Sequence, residues 1–136
     1  MAVNFDSGGY EFLRRGRSPF AVAHLSGCDA PSVRGTVSFF DTPLGVLVCA
    51  ELLGDDTFEG VYGFCLGAGE SGCRESDHAC RQFPLVYAKE GRGRASWISE
   101  RLRRISLVGR CVFLKESRTD PLCASHTLAC GVIDGG

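Results

Sequence analysis

The sequence predicts an all-β fold: an eight-stranded antiparallel Greek-key β-barrel or immunoglobulin-like sandwich. Short apolar segments alternate with turn-forming residues along the whole chain, and 18 of the 136 residues are glycines, which favours many turns. The clearest segment has Val33, Val37 and Phe39 on one face and Arg34 and Ser38 on the other. This period of two is typical of a strand with one buried side. Many short strands separated by polar turns indicate a closed or two-layered β-fold.

Taken in order, the segments predict one strand each. The candidate strands are residues 19–27, 33–41, 44–53, 60–66, 85–89, 94–99, 109–116 and 127–133. Residues 97–108 also fit a helical spacing, but the neighbouring pattern favours a strand followed by an irregular segment. The residues expected in the core are Val22, Val37, Val48, Phe64, Val112 and Leu128.

Length and charge indicate one domain with an ordinary soluble composition. We assign residues 1–19 to a polar N-terminal segment and 20–136 to the barrel domain. The net charge of −1 gives no general attraction to nucleic acid or to anionic membranes. No apolar run reaches the roughly 18 residues of a membrane span, and the N-terminal residues lack the apolar stretch of a secretory signal. We therefore expect a cytoplasmic protein without nucleic-acid or membrane partners; a homodimer is left open.

Eight cysteines are unusual for a chain of this size in a reducing compartment. Cys49 and Cys111 lie within apolar runs, so the default interpretation of both is a small buried hydrophobic residue. The redox states of these two and of Cys28, Cys80 and Cys123 are left open by the sequence.

Two motifs carry a family resemblance. The letters LACGVI stand near the end of the sequence at residues 128–133, and its middle reads YGFCLG at residues 62–67, followed by Cys73. Residues 20–27, 33–39 and 108–116 add three further fragments in matching order. Together these resemble the copper/zinc superoxide dismutase family over about residues 20–133. The resemblance implies a Greek-key barrel and a disulfide between Cys73 and Cys130.

The same resemblance implies that the reaction centre has been lost. The family binds copper and zinc with six histidines and an aspartate, whereas this chain has three histidines in total. The recognisable copper positions are Cys65, Gly67 and Lys115, and Thr127 stands where the family has its active-site arginine. A glycine has no donor atom, and a lysine ammonium has no free lone pair. We therefore expect a superoxide dismutase-like protein that lacks catalytic residues, bound cofactor and dismutase activity.

Two alternatives remain open from the residues alone. Cys65, Cys73, His78 and Cys80 lie within sixteen positions and carry the thiolate and imidazole ligands that zinc or copper(I) prefers. Their spacing matches no standard zinc motif, so the favoured interpretation is a buried Cys65, a bridged or free Cys73 and an exposed loop that carries His78 and Cys80. The other alternative is an atypical active dismutase, which would need ligands from elsewhere in the chain.

Overall fold

The computed structural model describes residues 15–28, 32–67, 78–79, 86–104, 106–116 and 127–135. The described chain is built of strands with a single turn of 3-10 helix at Arg101–Arg104. The strands are β1 (Ala21–Gly27), β2 (Arg34–Thr42), β3 (Gly45–Leu53), β4 (Gly60–Gly67), β5 (His78–Ala79), β6 (Val86–Lys89), β7 (Arg92–Ser99), β8 (Cys111–Glu116) and β9 (Thr127–Gly135). No helix of the described part is long and apolar enough to cross a membrane.

Eight of the strands close into a barrel. The order of hydrogen-bonded neighbours is β4-β6-β7-β3-β2-β1-β9-β8, and β8 pairs back onto β4. All pairings among these strands are antiparallel. The short β5 adds a two-residue ladder to the end of β4. Closure leaves no long exposed edge along this ring, which is how barrels avoid pairing with other chains.

The barrel interior holds one continuous apolar core. The core is built from alternate residues of each strand. In β1 the residues Ala21, Ala23 and Leu25 are buried, whereas His24 and Ser26 are exposed. The largest apolar side chains buried inside are Trp97, Phe39, Phe64, Leu52, Leu114 and Ile133. This alternation places every second residue of a strand on the outer surface of the barrel.

The eight predicted strands are all present, with ends shifted by no more than two residues. Strand β7 ends at Ser99, as the preference for a strand over a helix predicted, but residues 101–104 form a 3-10 turn where an irregular segment was expected. The two-residue β5 was not predicted, because a strand that short has no periodicity. Of the expected core residues, Val37, Val48, Phe64 and Val112 are buried.

The prediction that Val22 and Leu128 are buried was wrong, because both are only partly buried. On β1 the buried face is carried by the alanines on either side of Val22, so its side chain belongs to the opposite face. Leu128 lies between buried Thr127 and Ala129 and packs against the core from a half-buried position.

A tight hairpin ties one end of the barrel together. Glu90 and Gly91 connect β6 to β7 with φ angles of 55° and 82°, the positive pair that a two-residue type I′ turn requires. The Gly91 N–H donates to the Phe58 carbonyl at 3.1 Å, and the Gly54 N–H donates to the Gly91 carbonyl at 2.9 Å. The connection between β3 and β4 is therefore held against this hairpin.

Candidate functional site on the outer face of β4, β8 and β9

The residues singled out by sequence lie on one face of the barrel. Strand pairing aligns Cys65 with Phe113, and Phe113 with Cys130 of β9. Their neighbours Phe64, Leu114 and Ala129 point into the core. Cys65, Phe113 and Cys130 therefore belong to the opposite, outer side, where they pack with Cys111 as a separate apolar cluster. We call this surface, with Gly67 and Lys115 beside it, the outer cysteine face.

The outer cysteine face is unusually well buried for the outside of a barrel. Cys65, Cys111 and Lys115 are 0% exposed, and Phe113 is 2% exposed. The five residues Cys111 to Lys115 of β8 are therefore buried on both sides of the strand. Burial raises the free energy of a charge unless polar groups compensate it, so the Lys115 ammonium is the least expected group here.

The positions assigned to copper binding converge on this face. Cys65 and Gly67 are two residues apart on β4 and so share a side, and Lys115 on β8 pairs with Gly63 of β4. Thr127, at the position of the family's arginine, pairs with Lys115 from β9. Cys65 therefore lies two residues along β4 from the residue opposite Lys115, whereas Gly67 lies four residues from it, about 13 Å along the strand.

The chemistry of this patch is poor for a metal ion. The Gly67 side chain offers no donor atom, and the Lys115 ammonium has no free lone pair to give to a metal ion. Cys65 supplies the one soft donor among the three copper positions. Within the described ranges, no group of three or more histidine, cysteine, aspartate or glutamate side chains is arranged to hold a metal ion.

The ligand set of the metal-binding alternative falls mostly outside the described residues. Cys73 and Cys80 lie there, so their geometry is not part of the structure. The backbone of His78 lies in β5, paired with Gly67 at the end of β4. The chain therefore brings the position of His78 next to the outer cysteine face, two residues from Cys65.

The cysteines differ in chemistry. Cys111 is buried as expected, but it is disulfide-bonded, so the interpretation as a simple buried hydrophobic residue was incomplete. Cys130 carries a thiol. Its predicted bond to Cys73 is not supported by the structure and stays a prediction that rests on the resemblance, because Cys73 is outside the described residues.

A second cysteine contact was missed by sequence reasoning. The Sγ atoms of Cys28 and Cys130 lie 3.3 Å apart, although 102 positions separate the two residues. Cys28 follows the last residue of β1, and its N–H donates to the Leu128 carbonyl at 2.7 Å. The contact depends on the antiparallel pairing of β1 with β9, which cannot be read from the sequence.

The contact changes the acidity of Cys130. Burial raises the pKa of the Cys130 thiol to about 11, and the hydrogen bond with Cys28 and the negative charge of a Cys28 thiolate act in the same direction. Cys130 is half-buried whereas Cys28 is exposed. The pair therefore combines an accessible thiol with a neighbour that keeps its proton.

Comparison with known proteins adds no identification. No protein-family model matches the chain, and no curated protein matches it significantly. The functional interpretation rests on the residues of this chain.

Two shallow clefts lie away from the outer cysteine face. One, of about 320 Å³, is lined by residues 59–62 and Glu116. The other, of about 340 Å³, is lined by Tyr87, residues 89–90 and residues 92–94 around the β6–β7 hairpin. Neither cleft is lined by Cys65, Gly67 or Lys115.

Proposed function

We propose that this protein is a copper/zinc superoxide dismutase-like barrel that no longer dismutates superoxide and acts as a binding or structural protein. The observation that carries the proposal is Lys115, a fully buried lysine on the outer cysteine face at a position where the resemblance expects a copper ligand. Strand pairing sets Lys115 opposite Gly63, two residues along β4 from Cys65, and a lysine ammonium offers a metal ion no free lone pair.

The strand order supports the fold part of the proposal. In a Greek key, three consecutive strands are followed by a fourth that returns beside the first. Leaving aside the short β5, strands β4, β6 and β7 are neighbours in turn and β8 returns beside β4. This order agrees with the Greek-key barrel that the sequence motifs imply.

The available side chains support the functional part. Dismutation requires a metal that both gives and takes one electron, and imidazole is the ligand type that suits copper. Among the copper positions only Cys65 retains a donor atom. Thr127 stands where the resemblance expects the arginine that would attract an anionic substrate. The chain therefore lacks both the imidazoles that would hold the redox metal and the arginine that would attract superoxide.

A second candidate is a zinc or copper(I) site built from Cys65, Cys73, His78 and Cys80. The observation that favours it is the pairing of β5 with β4, which sets His78 opposite Gly67 and close along the strand to Cys65. With zinc bound, such a site would not dismutate superoxide, because zinc has no redox chemistry.

The test is superoxide turnover by purified protein incubated with copper and zinc and then dialysed. The proposal predicts no superoxide turnover above the background that remains after a chelator has removed free metal. Chelator-sensitive turnover at stoichiometric copper would overturn it. Bound zinc without turnover, lost in Cys65→Ser and kept in Cys49→Ser, would instead support the second candidate.

A further inference from the structure

We propose that Cys28 and Cys130 form a redox-active dithiol that closes to a disulfide when the protein meets a hydroperoxide. The two Sγ atoms lie 3.3 Å apart. A disulfide has an S–S length of about 2.05 Å, so closure requires the sulfurs to approach by only about 1.2 Å. The inference does not depend on the proposed function, because it uses neither metal nor superoxide.

The backbone holds the two residues in place for this step. Ser26 and Gly27 of β1 pair with Cys130 and Ala129 of β9. The hydrogen bond from the Cys28 N–H to the Leu128 carbonyl extends that ladder beyond the end of β1. Cys28 therefore approaches Cys130 from a fixed strand end, so that side-chain rotation rather than unfolding closes the gap.

The different exposure of the two thiols indicates which of them reacts first with the peroxide. Cys28 is exposed, so a peroxide in solvent can reach it directly. Cys130 is less accessible, and burial beside Cys28 raises its pKa to about 11. Since the thiolate is the reactive form, Cys28 is the attacking residue and Cys130 the resolving one.

The chemistry balances with the peroxide as the oxidant. The Cys28 sulfur attacks one peroxide oxygen; an S–O bond forms, the O–O bond breaks, and the released oxygen takes up a proton to leave as water or alcohol. The Cys130 sulfur then attacks the sulfenic acid at Cys28. The S–S bond forms, the S–O bond breaks, and the Cys130 proton leaves with the hydroxide as water. Two thiols lose two electrons and the peroxide gains them.

A metal site explains the contact less well. Two thiolates on a tetrahedral zinc lie about 3.8 Å apart, as two Zn–S bonds of roughly 2.3 Å require. The observed spacing is shorter, and the described residues provide no third ligand nearby. Oxidation to a disulfide needs only the two sulfurs that are already in contact.

The inference changes the role of Cys130. The resemblance pairs Cys130 with Cys73, but one sulfur cannot form both bonds. A Cys28–Cys130 bond would fasten the end of β1 to its neighbour β9.

The experiment is disulfide mapping of the full chain after reduction, removal of the reductant, exposure to hydrogen peroxide and alkylation. Trypsin cleavage yields a peptide of residues 18–34 that contains Cys28 and a peptide of residues 119–136 that contains Cys123 and Cys130. The inference expects a cross-link between these two peptides that is lighter than their sum by two hydrogen atoms and is reversed by dithiothreitol. The same link in Cys123→Ser assigns it to Cys130.

Two variants provide the contrast. Cys28→Ser should lower the cross-link to background and leave Cys130 alkylated rather than oxidised, whereas Cys49→Ser should leave the yield unchanged. The inference is overturned if Cys28 accumulates as sulfinic acid while Cys130 stays a thiol. It is equally overturned if Cys130 is found linked to residues 35–74, the peptide that carries Cys73.

Discussion

Gly131 of β9 lies so close to His24 of β1 that a side chain at residue 131 would overlap the His24 carbonyl, whose carbon would be only 2.8 Å from the added Cβ atom. The obstacle is backbone, so it cannot rotate away. This close approach occurs where β1 and β9 run side by side in the barrel. The glycine of the LACGVI motif is therefore explained by packing rather than by catalysis.

We predict that Gly131→Ala lowers the free energy of unfolding by about 1–3 kcal/mol, the usual cost of forcing atoms into a packed interior. Urea denaturation followed by tryptophan fluorescence would measure it. The matched control is Val132→Ala on the neighbouring residue, which is 38% exposed and should cost much less. Equal losses from the two variants would contradict this explanation of the motif.

A second prediction concerns the core. Phe64 is fully buried, and its ring centroid lies 6.3 Å from that of Trp97. Truncation to alanine leaves a cavity, so Phe64→Ala should lower the free energy of unfolding by about 3–5 kcal/mol. Tyr87→Ala, at an exposed aromatic residue, should change it by less than about 0.5 kcal/mol. A small effect at Phe64 would mean that the barrel interior is not the main core.

A third prediction uses the acidity of Cys130. Its pKa is raised from 9.0 to about 11 in the folded protein, so the unfolded chain releases this proton first as the pH rises. The stabilisation from the protonated thiol is complete below about pH 9 and is lost as the pH rises through 11. We expect the stability of the wild type to fall more steeply over this window than that of Cys130→Ala. Identical slopes in thermal denaturation would contradict the raised pKa.

A fourth prediction tests the geometry of the vestigial copper positions. If Cys65, Gly67 and Lys115 share one face, then Cys65→His, Gly67→His and Lys115→His in one chain should create a three-imidazole site that binds copper(II) or zinc. Equilibrium dialysis with Lys115→Arg as the control, after circular dichroism has shown both chains folded, would measure the gain. No gain in the folded triple variant would show that the three positions do not converge.

The sequence predicted the barrel well because alternation along Val33 to Phe39 and the other segments reports directly which face is buried. It overestimated the burial of Val22, which lies on the outer side of β1, and of Leu128, which packs against the core but is only partly buried. Hydrophobicity alone does not separate such residues from fully buried ones. Lys115 was recognised as a departure from the family pattern, but its complete burial was not, since burial on the outer face depends on tertiary packing. The Cys28–Cys130 contact was missed for the same reason, because residues so far apart in sequence meet only after β1 pairs with β9.

The central claim is that the outer cysteine face around Lys115 is a metal site that has been lost. The most direct test is elemental analysis by mass spectrometry of protein purified without added metal or chelator, together with its dismutase activity. We predict copper and zinc far below one atom per chain, and no superoxide turnover. Stoichiometric copper, with turnover that survives dialysis and is abolished by a chelator, would contradict the account.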